Sequence, residues 1–356
     1  GATDLGAGDL YTKIGQAHQN EELYEEAIDD YKKSLHVFLA KLGKDHTEVA
    51  ECYFNLGVCY LNLGDFDKAL EMYQKSLEIF NKQFFAKNPK IADIYFKIAD
   101  IHSEREEYSK ARESYNKALE FLMKKHGENH RTVGDCYLYI GNSYYDSDAY
   151  EDALRSFDQA IKIYTANNAY QKLADTHKSI GAVFYLLKDS QKALENYKKA
   201  YDLYQNKVSK EHPECASISN EIAKVYANQK SLDEAFQYYK TALDINITKF
   251  GKEHPDVARG YNCIADIFYA KGMSEDALEY YKLAANIFRK KIFRDYPYAT
   301  RNFRSVADTL SEVGSYDTAI QYYQKLLKMK IPKVGQKDPE VGMIFKRMAH
   351  AYFKKG

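Results

Sequence analysis

Residues 53–77 read "YFNLGVCYLNLGDFDKALEMYQKSL", and this stretch decides the fold. Apolar residues recur at intervals of three and four on both sides of "LGD", as they do in helices, and they do not alternate as in a strand. A Gly-Asp phrase between two periodic segments is typical of a turn. The stretch therefore predicts a helix, a short turn and a second helix.

The same pattern returns along the chain with a fixed period. Residues 11–35, "YTKIGQAHQNEELYEEAIDDYKKSL", align with residues 53–77 almost end to end. A small residue in the first helix recurs every 42 residues, except for one step of 40, at Gly15, Gly57, Ala99, Gly141, Gly181, Ala223, Ala265, Ala307 and Ala349. A second small residue follows twelve places later, at Ala27, Ala69, Ala111, Ala153, Ala193, Ala235, Ala277 and Ala319. An aromatic residue follows four places after that, at Tyr31, Tyr73, Tyr115, Phe157, Tyr197, Tyr239, Tyr281 and Tyr323.

One helix pair cannot bury its apolar face alone, but stacked pairs can. We therefore predict an all-α solenoid in which small residues let paired helices approach closely and aromatic residues fill the space above them. Residues 9–356 are expected to form a single solenoid of eight full repeats and the first helix of a ninth. That last helix would expose an apolar flank unless it caps the array or continues into a ninth pair.

The two ends of the sequence carry their own expectations. Residues 1–8 are expected to be a vector-derived remnant or a flexible N-terminus, since the chain opens with Gly-Ala and lacks an initial Met. No signal peptide is recognisable in this stretch. The chain stops at Gly356, midway through a repeat, which suggests a piece of a longer protein.

Composition excludes several classes of protein. The 5 cysteines are sparse and odd in number, which argues against a disulfide framework and favours a reducing compartment. No run approaches the length of a membrane span. Lys plus Arg equals Asp plus Glu at 51 each, so no net field attracts nucleic acid or membranes. The 33 tyrosines, with only 6 prolines, suit helices held together by aromatic packing.

A linker phrase also recurs, as "GKDHTEVA" at residues 43–50 and "GKEHPDVA" at residues 251–258. A proline at the first helical position is already set for a helix start, and Asn or Asp just before that position is a good N-cap. We therefore expect each first helix to begin at this phrase. The residue at the His position of the phrase is His46, Asn88, His130, His212, His254 or Asp338.

The pattern of small residue, aromatic, Ala, aromatic and Ala resembles the tetratricopeptide repeat (TPR) and covers essentially the whole chain. The 42-residue period is longer than the usual 34. Long repeats joined by "GKEHPDVA" resemble those of kinesin light chains and nephrocystin-3. The resemblance implies a right-handed superhelix whose inner wall is lined by the first helix of each repeat, and a protein that binds other proteins.

No motif for catalysis or metal binding is present. The recurrent histidines lie one repeat apart, so no two of them would converge on one ion. "HGENH" at residues 126–130 contains Gly127 and falls in a turn, so the helix that a two-histidine site requires is missing. Cys52 and Cys59 are interpreted as small buried hydrophobic residues. We therefore predict a non-enzymatic protein without cofactor or metal.

The predicted inner wall changes charge along the chain. Six residues before each recurrent small residue stand Asp9, Glu51, Asp93, Asp135, Asp175, Ser217, Arg259, Arg301 and Met343. Nearby late positions add Arg304, Lys346 and Arg347. Residues 1–180 carry 22 basic and 30 acidic side chains, and residues 181–356 carry 29 and 21. A carboxylate near a helix start is favoured by the helix dipole, which accounts for acids but not for arginines. Drift on a solvated face is the alternative explanation for the gradient.

The same wall is predicted to hold an extended peptide. Amides can pair with any peptide backbone, and aromatic side chains form apolar pockets beside them. The candidate amides are Asn55, Asn62, Asn142, Asn220 and Asn262. The candidate aromatic residues are Phe54, Phe96, Tyr139, Tyr145, Tyr185 and Tyr269. Some of these aromatic residues would instead pack between repeats. The resemblance to kinesin light chains implies an amide clamp at Asn55, Asn220 and Asn262.

These observations predict a protein-binding scaffold or adaptor. The basic groove patch (Arg259, Arg301, Arg304, Lys346 and Arg347) should prefer an acidic segment, and the acidic groove patch (Glu51, Asp93, Asp135 and Asp175) a basic one. The resemblance to kinesin light chains implies a cytoplasmic adaptor of the cytoskeleton, of motor cargo or of a cilium. The alternative is a structural module whose acidic and basic ends join copies of the chain or dock on a neighbouring domain. Nucleic acid is not an expected partner, because the basic residues form no dense run.

Overall fold

The structure, a computed structural model, describes residues 5–84, 88–290 and 297–356. Within these ranges it contains seventeen α-helices and no β-strand. The helices are α1 Leu5–Asn20, α2 Tyr24–Leu42, α3 Thr47–Asn62, α4 Phe66–Phe84, α5 Lys90–Glu104, α6 Tyr108–His126, α7 Arg131–Asp146, α8 Tyr150–Ala166, α9 Tyr170–Leu186, α10 Ser190–Leu203, α11 Pro213–Asn228, α12 Leu232–Phe250, α13 Pro255–Ala270, α14 Ser274–Phe288, α15 Pro297–Glu312, α16 Tyr316–Val334 and α17 Pro339–Lys355. A π-helical turn, Tyr204–Val208, follows α10.

The helices form tandem pairs, as the repeat pattern predicts, and the chain divides into two compact units after Ala169. Unit 1 contains α1 to α8, and unit 2 contains α9 to α17. Within each unit, successive pairs stack and share apolar cores, so the fold is a solenoid of helix-turn-helix repeats. In unit 2 one cluster of buried side chains extends from Ala223 to Ala351.

The recurrent small residues allow close contact within each pair. A Cβ atom added at Gly57 would lie 2.7 Å from the ring of Tyr73, and one added at Gly141 would lie 2.5 Å from Phe157. Both aromatic rings are fully buried. The predicted roles of the small and aromatic residues are therefore confirmed, because the ring fills the space that a side chain would need.

Each turn between paired helices places one residue in left-handed backbone, always seven positions after the small residue. Glycine occupies this position in three turns, for example Gly64 with φ 76°. The other turns place a residue with a side chain there, including Lys188 and Lys230 with φ values of 61° and 60°. A residue with a Cβ is strained in this conformation by about 1–2 kcal/mol.

The linker phrase begins first helices as predicted, and its histidines act as N-caps. His46 Nδ1 accepts a hydrogen bond from the backbone N–H of Glu48 at 3.2 Å. The same bond forms at His130, His212 and His254. Asn88 and Asp338 cap α5 and α17 through side-chain oxygens. Capping through Nδ1 requires that this nitrogen carries no proton.

The last helix, α17, packs on α16 through one face and exposes apolar residues on another. Val341, Ile344 and Ala351 are buried, whereas Tyr352 is 49% exposed and Phe353 81% exposed. The predicted apolar flank is therefore present on α17.

Candidate functional site

The predicted binding residues lie on the first helices of the repeats. We call those of unit 1 the unit 1 surface: Glu51, Phe54, Asn55, Asn62, Asp93, Phe96, Asp135, Tyr139, Asn142 and Tyr145. We call those of unit 2 the unit 2 surface: Asp175, Tyr185, Asn220, Arg259, Asn262, Tyr269, Arg301, Arg304, Lys346 and Arg347. The first set lies on α3, α5 and α7, and the second on α9, α11, α13, α15 and α17.

The aromatic residues of the unit 1 surface pack partly against second helices. Phe96 and Tyr139 meet edge to face with ring centroids 5.5 Å apart, and Tyr139 stacks on Tyr115 of α6 at the same distance. Phe54 packs on Tyr73 at 5.9 Å. Phe54 and Phe96 are half-buried, and Tyr139 is 37% exposed. These rings therefore contribute to packing between helices, and Tyr139 offers the most open apolar contact of the three.

The acidic groove patch has more structural roles than the sequence indicated. Glu51 pairs with Lys90 of α5 at 2.9 Å. Asp135 accepts a hydrogen bond from Tyr164, which is fully buried, at 2.7 Å. In unit 2, Asp175 accepts the hydroxyl of Tyr204 in the same way. These three acids therefore hold helices together, and Asp93 is the exposed member of the patch.

Neighbouring side chains displace part of the water around several carboxylates of unit 1, although Asp93 and Asp146 remain exposed overall. Burial raises the pKa of Asp93, Asp100 and Asp146 above the usual aspartate value. Hydrogen bonding from Tyr115 opposes this rise at Asp100 but is smaller than the effect of burial. The ionised forms of these acids would therefore be stabilised by an added cation.

The remaining candidate tyrosines differ in the hydrogen bonds and ring contacts that they form. Tyr185 accepts a hydrogen bond from Asn228 at 2.7 Å, which joins α9 to α11. Tyr269 donates to Glu312 of α15, and this bond raises the pKa of Tyr269 to about 12. Tyr145 is half-buried, with its ring 6.2 Å from that of Tyr150.

The amide residues do not form one continuous ladder. Asn62 is exposed and its Nδ2 donates to the carbonyl of Val58 in its own helix at 2.8 Å. Asn55 and Asn142 are half-buried. Asn220 is half-buried, and its Oδ1 is enclosed without a hydrogen-bond partner among the described residues.

Asn262 lies inside unit 2 and does not line an open surface, contrary to its predicted place in the groove. Its side chain is 7% exposed, and its Oδ1 accepts a hydrogen bond from Asn302 Nδ2 at 2.6 Å. Asn302 also donates to the carbonyl of Tyr281 at 3.0 Å. This buried amide pair connects α13, α14 and α15, which is a structural role that the sequence did not indicate.

Three arginines of the basic groove patch pair with acids of their own unit. Arg301 lies 2.7 Å from Asp266, and Arg347 lies 2.5 Å from Asp308. Each of these aspartates also accepts a tyrosine hydroxyl from the second helix of its own repeat, at 2.5 Å from Tyr281 and 2.7 Å from Tyr323. Arg259 lies 3.4 Å from Asp256. The paired arginines Arg301 and Arg347 tie successive first helices together.

Arg304 and Lys346 differ from these arginines. Neither forms an ion pair or hydrogen bond with any residue in the described ranges. Arg304 is half-buried on α15, and Lys346 is exposed on α17. Met343, 48% exposed, lies on α17 one turn before Lys346 and Arg347. The two unpaired cations of the unit 2 surface therefore lie beside an exposed apolar side chain, Met343.

The chain matches the model of the tetratricopeptide repeat family in seven overlapping segments, which together span residues 7–331. The segments are 7–82, 59–124, 90–166, 135–206, 172–248, 214–290 and 256–331. This chain belongs to the tetratricopeptide repeat family. No curated protein matches the chain.

Solved tetratricopeptide structures share the fold at low identity. A signal transduction ATPase from Pyrococcus horikoshii with a tetratricopeptide repeat sensor is 16% identical, with 92% of this chain and 50% of that chain covered and a TM-score of 0.63. BtubC (BKLC) from P. vanneervenii is 18% identical, with 62% and 89% covered and a TM-score of 0.55. Repeats of a kinesin-light-chain-type protein from Podospora anserina are 17% identical, with 52% and 88% covered and a TM-score of 0.47.

Membership of the tetratricopeptide repeat family makes this chain a protein–protein interaction scaffold, and proteins of this family are generally not enzymes. Among the described residues, no three metal-ligating side chains come together, and no described helix is long and apolar enough to cross a bilayer. Burial raises the pKa of Cys52 and Cys59 to about 11, which agrees with their interpretation as buried hydrophobic residues.

Proposed function

We propose that this chain binds an extended segment of a partner protein along its first helices, and that an acidic part of the segment contacts the unit 2 surface. The observation that carries this proposal is the pair of unpaired cations, Arg304 and Lys346, beside the exposed Met343. A carboxylate would gain charge-assisted hydrogen bonds from these cations without breaking an existing ion pair. The exposed methionine would receive an apolar anchor of the segment.

The unit 1 surface supports the complementary half of the proposal. Unit 1 carries 20 basic and 29 acidic side chains, and unit 2 carries 31 and 22. Asp93 is exposed, and Tyr139, on the next first helix, is 37% exposed. An exposed carboxylate and a partly exposed aromatic ring suit a lysine or arginine side chain. We therefore propose that a basic part of the segment contacts unit 1.

A cytoplasmic role as a cytoskeletal, cargo or ciliary adaptor is part of the proposal. It rests on the resemblance of the linker phrase to that of kinesin light chains and nephrocystin-3. A scaffold of this kind would connect its partner to other proteins without acting on the partner chemically.

A peptide-display selection tests the proposal. The wild-type chain should enrich acidic peptides that carry an apolar anchor, and the Arg304→Glu/Lys346→Glu variant should lose them. Lys282→Glu is the matched control, because Lys282 is an exposed cation on α14, away from the unit 2 surface. Absence of any enriched peptide, or equal enrichment by wild type and the double variant, would contradict the proposal.

Self-association is the second candidate function, favoured by the opposite net charges of the two units. Acidic unit 1 of one copy would dock on basic unit 2 of another. Light scattering should then show oligomers at low salt that dissociate at about 1 M salt, where the screening length is about 3 Å. A monomer at all salt concentrations would rule this candidate out.

A further inference from the structure

Two adjoining cavities lie among α15, α16 and α17 of unit 2. The smaller one, of about 190 Å³, is lined by Thr300, Arg301, Arg304, Leu326, Lys330, Glu340, Met343, Ile344 and Arg347. The larger one, of about 830 Å³, is lined by Asp308, Ser311, Glu312, Tyr316, Tyr323, Met343, Lys346, Arg347, His350 and Lys354. Met343 and Arg347 line both cavities, so the two cavities adjoin at these side chains.

Positive charge exceeds negative charge in the smaller cavity. Four cationic side chains line it, and Glu340 is the single acid among its lining residues. Glu340 is already paired with Lys330. The acids that pair with Arg301 and Arg347 are Asp266 and Asp308, neither of which lines this cavity. Three of the four cations are therefore ion-paired, and Arg304 is the cation of this cavity whose charge no acid among the described residues offsets.

The arginines of this cavity keep unused hydrogen-bond donors. Each guanidinium has five N–H groups. Arg301 and Arg347 each contribute one terminal nitrogen to their ion pairs. Arg304 contributes none to any described residue. The donors therefore outnumber what one carboxylate, with a single charge and two oxygens, would use.

We propose that this cavity binds a phosphorylated side chain of the partner segment. A phosphate monoester carries a charge of about −1.5 to −2 at pH 7 and three acceptor oxygens, which matches several arginine donors better than a carboxylate does. Met343 and Ile344 would contact the carbon atoms that carry the phosphate. Phosphorylation of the partner would then increase its affinity for this chain. This inference rests on the proposed function, since it names the chemistry of the anchor in the unit 2 surface.

Small anions test the cavity without knowledge of the partner. Inorganic phosphate, phenyl phosphate, sulfate and glutamate are titrated into the intact chain at constant ionic strength, and binding is measured by isothermal titration calorimetry and arginine side-chain NMR. We expect phosphate and phenyl phosphate to bind at least tenfold more tightly than glutamate at pH 7.5. Phosphate should bind more weakly at pH 5.5, where it is mostly the monoanion, whereas sulfate, a dianion at both pH values, should change less.

Two substitutions locate the effect. Arg304→Gln should weaken phosphate binding at least tenfold, and Arg304→Lys should restore part of it, because charge remains but the planar donor geometry is lost. Arg155→Gln, an exposed arginine of unit 1, is the matched control and should leave phosphate binding unchanged. Circular dichroism shows whether each variant is folded. If Arg304→Gln is not, Met343→Glu serves as a second probe, because it places a carboxylate at an exposed residue of the same cavity and should also weaken phosphate binding.

The outcomes separate this inference from the proposed function. Phosphate that binds no more tightly than glutamate, or equally well to wild type and Arg304→Gln, overturns the phosphate site. Acidic peptides could still be enriched in that case, and the peptide-binding proposal would stand. Arginine-dependent phosphate binding without any enriched peptide would instead support the anion site and contradict the peptide groove.

Discussion

Tyr73→Phe should raise the free energy of unfolding, because of the surroundings of the Tyr73 hydroxyl. This side chain is fully buried between α3 and α4, and its hydroxyl has no hydrogen-bond partner among the described residues. The equivalent residue one repeat later, Tyr115, donates to Asp100 at 3.0 Å. The residue at the position of Asp100 in the earlier repeat is Val58, which cannot accept a hydrogen bond. The same substitution should therefore have opposite effects at the two tyrosines.

The magnitudes follow from the cost of a buried polar group. An enclosed hydroxyl without a partner costs about 1–3 kcal/mol, so Tyr73→Phe should raise the free energy of unfolding by about 1 kcal/mol. Tyr115→Phe removes a hydrogen bond to a carboxylate, which is worth about 1.5–3 kcal/mol. Because the Asp100 side chain is 45% exposed and water can replace the lost donor, we expect Tyr115→Phe to lower the free energy of unfolding by about 1–2 kcal/mol.

Repeat arrays can unfold in parts, so the assay needs a local readout. Urea titration followed by circular dichroism gives overall stability, and hydrogen exchange of α4 and α6 amides locates the change. Val58→Asp should stabilise the chain when Tyr73 is present and not in the Tyr73→Phe background, which measures the coupling. Equal losses of stability at Tyr73→Phe and Tyr115→Phe would refute the reasoning.

Three further predictions concern turns, histidine and the buried amides. Lys188→Gly and Lys230→Gly should each raise the free energy of unfolding by about 0.5–1 kcal/mol in urea titrations, because both residues are strained in left-handed turns. Burial lowers the pKa of His177 below its value in the unfolded chain, so stability should fall as pH drops below about 6.5, and His177→Gln should reduce that fall between pH 7.5 and 5. Asn302→Ala should cost about 1–3 kcal/mol in thermal unfolding because it leaves Asn262 Oδ1 buried without a partner, as Asn262 Nδ2 already is among the described residues, and Asn262→Leu/Asn302→Leu should cost less.

The fold could be predicted from the sequence because it depends on local pattern. The spacing between Gly57 and Tyr73 is the same in every repeat, and helix geometry brings such residues into contact once the turn is placed. The start of first helices was also predictable from the linker phrase. The sequence did not show that His46 caps its helix through Nδ1, since that bond depends on the orientation and protonation of the ring.

The candidate site was predicted less completely, because charge at a position does not reveal its partner. Asp135 and Asp175 had the register of surface acids, yet each accepts the hydroxyl of a buried tyrosine 29 residues later. The sequence did contain a signal, because each of the other six full repeats places a residue without a hydroxyl, such as Phe80, at the position of Tyr164 and Tyr204. Tyrosine at a core position implies a nearby acceptor.

The arginines also show that charge at a position in the sequence does not identify the partner of that charge. Arg301 and Arg304 were equivalent members of a basic patch in the sequence. Asp266, on the preceding first helix, pairs with Arg301 and leaves Arg304 unpaired. That choice depends on where α13 and α15 cross, which periodicity does not determine. Arg304 is therefore the member of the basic groove patch on which the proposed site is centred.

Fluorescence anisotropy measures the central claim most directly. A labelled glutamate-rich peptide with one apolar anchor is titrated with the wild-type chain, and a second peptide has lysine in place of each glutamate. We expect the acidic peptide to bind the wild-type chain at the unit 2 surface. Arg304→Glu/Lys346→Glu should weaken the affinity of the acidic peptide at least tenfold, and Lys282→Glu should leave that affinity unchanged. Equal affinity of the acidic peptide for wild type and the double variant would contradict the account.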